Sequence, residues 1–227
     1  MTSQFRILVV AATQPEADII KRIPGIVETS DGFRIGNCNL EVLITGVGSV
    51  ATAWTLTKWF SSGREISLAL NIGIAGSYRD QIKIGDVVVP VSDCFADSGI
   101  ETAEGFVTLA EAGLQNPETF PFRNGLLVSE NKYVTEATFR LKSVSAITVN
   151  TATGASASIS RILRKYDPDI ETMEGATFFY ICSLEKIPFI SFRAVSNKVE
   201  PRNRSKWNTA LALENLSVEL GKFIQTI

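Results

Sequence analysis

The tightest constraint on this chain is a set of short apolar runs: Ile7 to Val10, Val42 to Ile44, Leu68 to Ile72, Val87 to Val89, and Phe189-Ile190. A strand with one wet face alternates polar and apolar residues, whereas a continuous run requires cover on both faces. The runs therefore predict a parallel or mixed sheet held between helices. Residues 49–62 predict a helix opened by Ser49 and closed near Gly63. Ile159, Ile162, Leu163 and Tyr166 recur at helical spacing, and Pro168 follows. Met173 to Leu184 is apolar on nearly every side, which predicts a buried helix. Leu213, Leu216, Leu220, Phe223 and Ile227 mark an amphipathic helix. This alternation predicts an α/β fold: a single three-layer α/β/α domain over residues 1–227, with a mixed, largely parallel central sheet. No repeat, low-complexity run or linker divides it. Residues 97–124 are rich in Glu, Gly, Pro and Phe and fit no element; such a segment is usually functional or an interface.

Composition removes several chemistries. With 227 residues the chain can bury most of its unfolded surface in one core. At 45% hydrophobic and 20% charged residues it lies outside the signature of disorder. A formal net charge of −2 argues against a nucleic-acid surface, which needs a clustered positive excess. Histidine is absent, which excludes a Ser-His-Asp or Cys-His centre and any His-ligated zinc. Acid–base chemistry must then run on carboxylates, Lys, Tyr or Cys. Cys38, Cys94 and Cys182 form no CxxC pair and read as small buried residues in a reducing compartment. No charged-then-apolar leader and no long apolar run is present, so the expectation is a soluble cytoplasmic protein without membrane contact. Neither a cofactor nor a metal is expected.

The candidate chemistry gathers where strands end, the usual place for ligands in α/β proteins. Glu16 sits one turn into the helix expected after the first strand; it is either a site residue at the mouth or an acid favoured by the helix dipole. Thr45-Gly46-Val47-Gly48-Ser49 is a Gly-rich turn with no basic residue before Lys58, hence not a Walker loop. Asn71 to Ser77 again places small residues, including Ala75 and Gly76, where a flat ligand could lie on the backbone. Glu174 opens the apolar helix. A buried carboxylate needs hydrogen bonds, supplied by a ribose diol or by an internal partner such as Arg193 or a backbone N–H. Asn197 ends the last strand run, and its amide either reads a base edge or closes a turn.

These pieces, in this order, resemble the nucleoside phosphorylase/hydrolase superfamily, in the branch of methylthioadenosine/S-adenosylhomocysteine nucleosidase. The matching pattern is strand-Ala-x-x-x-x-Glu, Gly-Val-Gly, Asn-x-Gly-x-Ala-Gly, Lys-x-Gly-Asp-Val-Val-Val, Met-Glu-Gly-Ala and Phe-Arg-Ala-Val-Ser-Asn. The resemblance implies that Glu16 activates water, Met173 packs on the sugar and Glu174 grips the ribose hydroxyls. It also implies a purine nucleoside substrate, a homo-oligomer and a substrate seat at Ala75 and Gly76. Asn197 falls where the adenine-cleaving enzymes carry an Asp that protonates N7. An uncharged amide suits a 6-oxopurine better, because it meets O6 without unpaired negative charge. Ser196 to Arg204, with Trp207 after it, is similar to the futalosine hydrolase group, whose members release hypoxanthine from futalosine in a menaquinone pathway. Arg202 and Arg204, two apart in a loop expected to be extended, are candidates to hold the substrate's carboxylate. At Thr151 to Gly154, where the nucleosidases carry a base-stacking aromatic, this chain has none; Phe95, Phe120 or Phe122, from this chain or from a neighbouring subunit, are the candidates for that role. Competing readings are a nucleosidase or phosphorylase for another purine nucleoside, of methylthioadenosine/S-adenosylhomocysteine or inosine type, and a nucleoside-binding module without turnover.

Overall fold

A computed structural model describes residues 5–227. In chain order the elements are β1 (Phe5–Ala11), α1 (Gln14–Ala17), β2 (Val27–Thr29), β3 (Gly32–Ile35), β4 (Cys38–Ile44), α2 (Ser49–Phe60), β5 (Leu68–Ser77) and β6 (Val87–Asp93). There follow β7 (Gly99–Thr102), β8 (Gly105–Thr108), β9 (Leu127–Val128), α3 (Lys132–Thr138) and β10 (Lys142–Thr148). The chain continues through α4 (Ser156–Lys165), β11 (Ile170–Thr172), α5 (Gly175–Leu184), β12 (Phe189–Lys198) and α6 (Thr209–Ile224).

The apolar runs become the central strands because both their faces are covered. In β1, Ile7, Val9 and Ala11 join a core with Leu213, Leu216, Leu220 and Phe223 of α6. The alternate residues Leu8 and Val10 join the opposite core with Leu56 and Trp59 of α2 and Phe178, Phe179 and Cys182 of α5. A strand's side chains alternate between faces, so one run supplies two cores. Each such side chain contributes about 1.5–3 kcal/mol on burial. The three-layer expectation follows from this packing, and the mixed sheet matches it.

The sheet runs β11-β10-β6-β12-β5-β1-β4-β3-β2, with β9 on β6. The pairs β1–β4, β1–β5, β5–β12, β6–β10 and β10–β11 are parallel, while β6 and β12 are antiparallel. One feature goes beyond an open sheet. Strand β11 also pairs antiparallel with β5, Ile170 opposite Ser77 and Glu171 opposite Gly76. That closes β5, β12, β6, β10 and β11 into a ring, filled by Ala75, Val88, Val144, Ala146, Ile170 and Val195.

The expectation for residues 97–124 needs correction in part. Gly99–Thr102 and Gly105–Thr108 pair as an antiparallel hairpin, β7–β8. Its loop is Ala103-Glu104, which lacks the Asn-Gly or Asp-Gly signature of a tight hairpin turn. The buried helix starts at Gly175, so Met173 and Glu174 precede it. All three cysteines are free and buried. No helix among the described residues is long and apolar enough to cross a membrane.

Candidate active site

A cavity of about 590 Å³ opens at the ends of β1, β5 and β12. Its volume suits one nucleoside-sized ligand. Among the residues lining it are Glu16, Ala75, Gly76, Met173, Glu174, Asn197 and Arg202. Residues distant in sequence thus meet because parallel strands deliver their ends to one edge of the sheet.

Glu16 is the third residue of a single helical turn. Its Oε2 accepts from the Thr13 amide at 3.0 Å and the Thr13 hydroxyl at 2.7 Å. Its Oε1 reaches across to the Ile74 amide of β5 at 3.0 Å. Glu16 therefore caps its own helix and also lines the cavity. Gly73 makes room for this. A Cβ there would lie 2.7 Å from Glu16 Oε1 and against the Arg193 guanidinium. Arg193, 1% exposed, is bonded to the Asn71 side chain.

Glu174 is 8% exposed, and its Oε1 accepts from the Gly48 amide at 2.9 Å. Gly48 holds φ at 91°, a conformation that side chains disfavour, and this aims its N–H at the carboxylate. The Gly-rich turn thus grips a protein carboxylate. Burial pushes the Glu174 carboxyl above its ordinary range, against the Arg193 charge and the Gly48 hydrogen bond. The internal-partner reading of Glu174 is met in part, and its cavity face remains.

Asn197 sits within β12 rather than in a turn. Its Nδ2 donates to the Lys198 carbonyl at 2.9 Å, and its Oδ1 accepts from the Ser196 hydroxyl at 2.8 Å. The basic segment after it is folded, not extended: residues 204–206 form a 3₁₀ turn. Arg202 lines the cavity, with its guanidinium 5.8 Å from the Trp207 ring centre. Arg204 lies outside the cavity lining and is exposed, because the turn rotates it away from Arg202. Lys198 pairs with Asp80, and Lys206 with Glu200 at 2.7 Å.

Within one chain, Phe95 and Phe122 pack against the core beneath α5, and Phe120 is exposed; none lines this chain's own cavity. The aromatic that does is Trp207. Glu171 was also missed as a cavity residue. It is 8% exposed, and its oxygens accept from the Tyr78 hydroxyl at 2.6 Å and the Thr153 amide at 2.9 Å. Burial pushes its carboxyl up, opposed by those two bonds. The available signal was an acid between Ile170 and Thr172, two residues before Met173. Deeper still, Asp93 is fully enclosed, and burial pushes its carboxyl up to about 7. No cluster of potential metal ligands occurs among the described residues.

Comparison with known proteins fits this geometry. The phosphorylase superfamily model matches residues 6–225. The chain is 30% identical to futalosine hydrolase of Streptomyces coelicolor, over 96% of this chain and 94% of that one. It is 25% identical to 5'-methylthioadenosine/S-adenosylhomocysteine nucleosidase of Buchnera aphidicola, over 98% and 91%. Among solved structures, the fold is shared with Helicobacter pylori futalosine hydrolase (TM-score 0.74, 16% identity, 100% and 98% covered). It is shared too with Helicobacter pylori 5'-methylthioadenosine/S-adenosylhomocysteine nucleosidase (TM-score 0.80, 14% identity, 99% and 100% covered). With a family model over nearly its whole length and a cavity at the strand ends, this chain belongs to the phosphorylase superfamily.

Proposed function

We propose that this protein is a nucleosidase that hydrolyses the N-glycosidic bond of futalosine, releasing hypoxanthine. The observation that carries the reading is the joint presence of Glu16, Glu174 and Asn197 on one cavity. Glu16, anchored through Thr13 and Ile74, is the base that takes a proton from water. The water oxygen bonds to the anomeric carbon as that carbon's bond to the purine nitrogen breaks; the bonding electron pair leaves with the purine, which takes up a proton from solvent as Glu16 returns its own proton to solvent. Glu174 holds the ribose hydroxyls, and Met173 packs on the sugar. Ala75 and Gly76 offer a flat backbone surface to the ligand. The free N–H of Asn197 stabilises the charge that accumulates on the purine, without itself giving up a proton. Arg202 beside Trp207 is suited to a carboxylate at the far end of the substrate. The outward position of Arg204 removes the support for an equal role there. No cofactor enters this scheme.

Relatives named as futalosine hydrolases support this substrate, and with it we propose a place in menaquinone biosynthesis. The nucleosidase relatives support the alternative of an adenine nucleoside, which the uncharged Asn197 disfavours. We further propose that residues 1–227 act as one unit, in the cytoplasm, as a homo-oligomer. Val50 and Trp54, 83% and 70% exposed on α2, offer an apolar face for a second copy. Incubating the protein with futalosine, inosine and methylthioadenosine, with and without phosphate, tests the reading. Free hypoxanthine from futalosine, independent of phosphate, is expected. Adenine release alone, or strict phosphate dependence, would overturn it.

A further inference from the structure

Glu174 is the N-cap residue of α5, yet its side chain does not cap the helix. A carboxylate in that position ordinarily turns back onto the first-turn amides, which have no partner within the helix. Here it turns away, to the Gly48 amide and the cavity. The amides it leaves find other partners. The Gly175 N–H donates to the Thr172 hydroxyl oxygen at 3.1 Å, and the Ala176 N–H to the Thr148 hydroxyl oxygen at 2.7 Å.

These supports come from three neighbouring strands. Thr172 ends β11, Thr148 ends β10 and Asp93 ends β6, and the sheet places these strands side by side. A hydroxyl has one hydrogen and two lone pairs. Thr148 gives its hydrogen to Asp93 Oδ1 at 3.0 Å, which leaves its lone pairs for the Ala176 amide and for the Thr172 hydroxyl, 3.3 Å away. Both hydroxyls thus have a fixed direction, and the chain of bonds ends on a carboxyl that is 1% exposed. Gly175 makes room for it. A Cβ there would stand 2.2 Å from Asp93 Oδ2 and 2.9 Å from the Thr172 hydroxyl oxygen.

We propose that Asp93, Thr148 and Thr172 are positioning residues that cap α5 in place of Glu174 and so keep its carboxylate turned to the sugar. This deepens, and rests on, the nucleosidase reading, in which Glu174 holds the ribose hydroxyls. Without the Thr148 hydroxyl, the Ala176 amide would be buried and unpaired. As the N-cap residue, Glu174 is placed to turn back and accept from it. The helix would keep a cap while the sugar lost its holder.

Kinetics with inosine and 2′-deoxyinosine test this, because the deoxy form lacks a hydroxyl for Glu174 to hold. Thr148→Val should lower the preference for inosine, as a ratio of kcat/KM, about 10-fold or more, mainly through KM. Thr148→Ser, which keeps the hydroxyl, should stay near wild type. An equal loss on both nucleosides in folded Thr148→Val would show that Thr148 serves only the fold, and overturns the proposal. So does a change of preference in Thr148→Ser as large as that in Thr148→Val. Amide hydrogen exchange gives a test without these variants. In Glu174→Ala the Gly175 and Ala176 amides should exchange within about 3-fold of wild type, scaled to the amides of β1. Acceleration beyond about 10-fold would show that Glu174 itself caps α5, and overturns the proposal even if Thr148→Val does not fold. The two readings fail separately. Held amides without cleavage of any nucleoside remove the nucleosidase and keep the cap. Futalosine cleavage with released amides does the opposite.

Discussion

The Gly48 amide donates to Glu174 Oε1 at 2.9 Å, tying the turn before α2 to the carboxylate before α5. The bond depends on a backbone shape that only glycine adopts freely, with φ 91° and ψ 166°. Gly48→Ala should therefore cost about 1–3 kcal/mol of stability in denaturant titration. It should also raise KM more than it lowers kcat, because the carboxylate that holds the sugar loses its anchor. Unchanged KM in a folded Gly48→Ala protein would contradict the role given to Glu174.

Glu16 is held from both sides, by Thr13 and by Ile74. Glu16→Gln keeps the size and much of the bonding but removes the base. Turnover should fall about 10²–10⁴-fold, with hypoxanthine affinity nearly unchanged. Steady-state rates alongside base-binding titrations check this, and a parallel loss of both would mark Glu16 as structural.

The basic segment after β12 separates into two behaviours. Arg202 lines the cavity beside Trp207, whereas Arg204 does not. Arg202→Ala should lower kcat/KM about 10-fold for futalosine and much less for inosine, which lacks the carboxylate. Arg204→Ala should leave the futalosine-to-inosine ratio near wild type. Equal effects at the two positions would deny Arg202 a substrate contact.

Asp93 predicts a pH dependence of stability. Its Oδ1 accepts from Thr148 at 3.0 Å, while its Oδ2 has no partner among the described residues. Burial lifts its carboxyl to about 7, above the unfolded value of about 3.9. The folded state then holds this proton more tightly than the unfolded state. The contribution of Asp93 to stability is fullest below about pH 4, falls as pH rises toward 7, and levels above it. Glu171 and Glu174, also raised by burial, slope the same way. Asp93→Asn removes one share of that slope, so its unfolding free energy should fall less than wild type between about pH 5 and pH 8. Identical slopes would show that Asp93 does not titrate in this range.

Much of this was legible in the chain, and the remainder has identifiable physical reasons. The run Ile7 to Val10 announces a strand covered on both faces because alternate residues must each find a core. Glu16, Glu174 and Asn197 stood out as polar residues beside apolar elements. Glu171 did not, because its meaning comes from the antiparallel pairing of β11 with β5, and a pairing between distant segments leaves no periodic trace. Trp207 did not stand out as a cavity aromatic, because the short 3₁₀ turn that brings it to the lining leaves no periodic trace. The different directions of Arg202 and Arg204 were not legible, because a local 3₁₀ turn, not an extended loop, sets them.

The most direct test of water activation by Glu16 is the fate of water oxygen in a single turnover. Futalosine cleaved in heavy-oxygen water should place one heavy oxygen on the sugar product and none on hypoxanthine, at a rate that phosphate does not change. The same label should appear at least about 10²-fold more slowly with Glu16→Gln. A sugar product without the label, or equal labelling rates in the two proteins, would contradict the account.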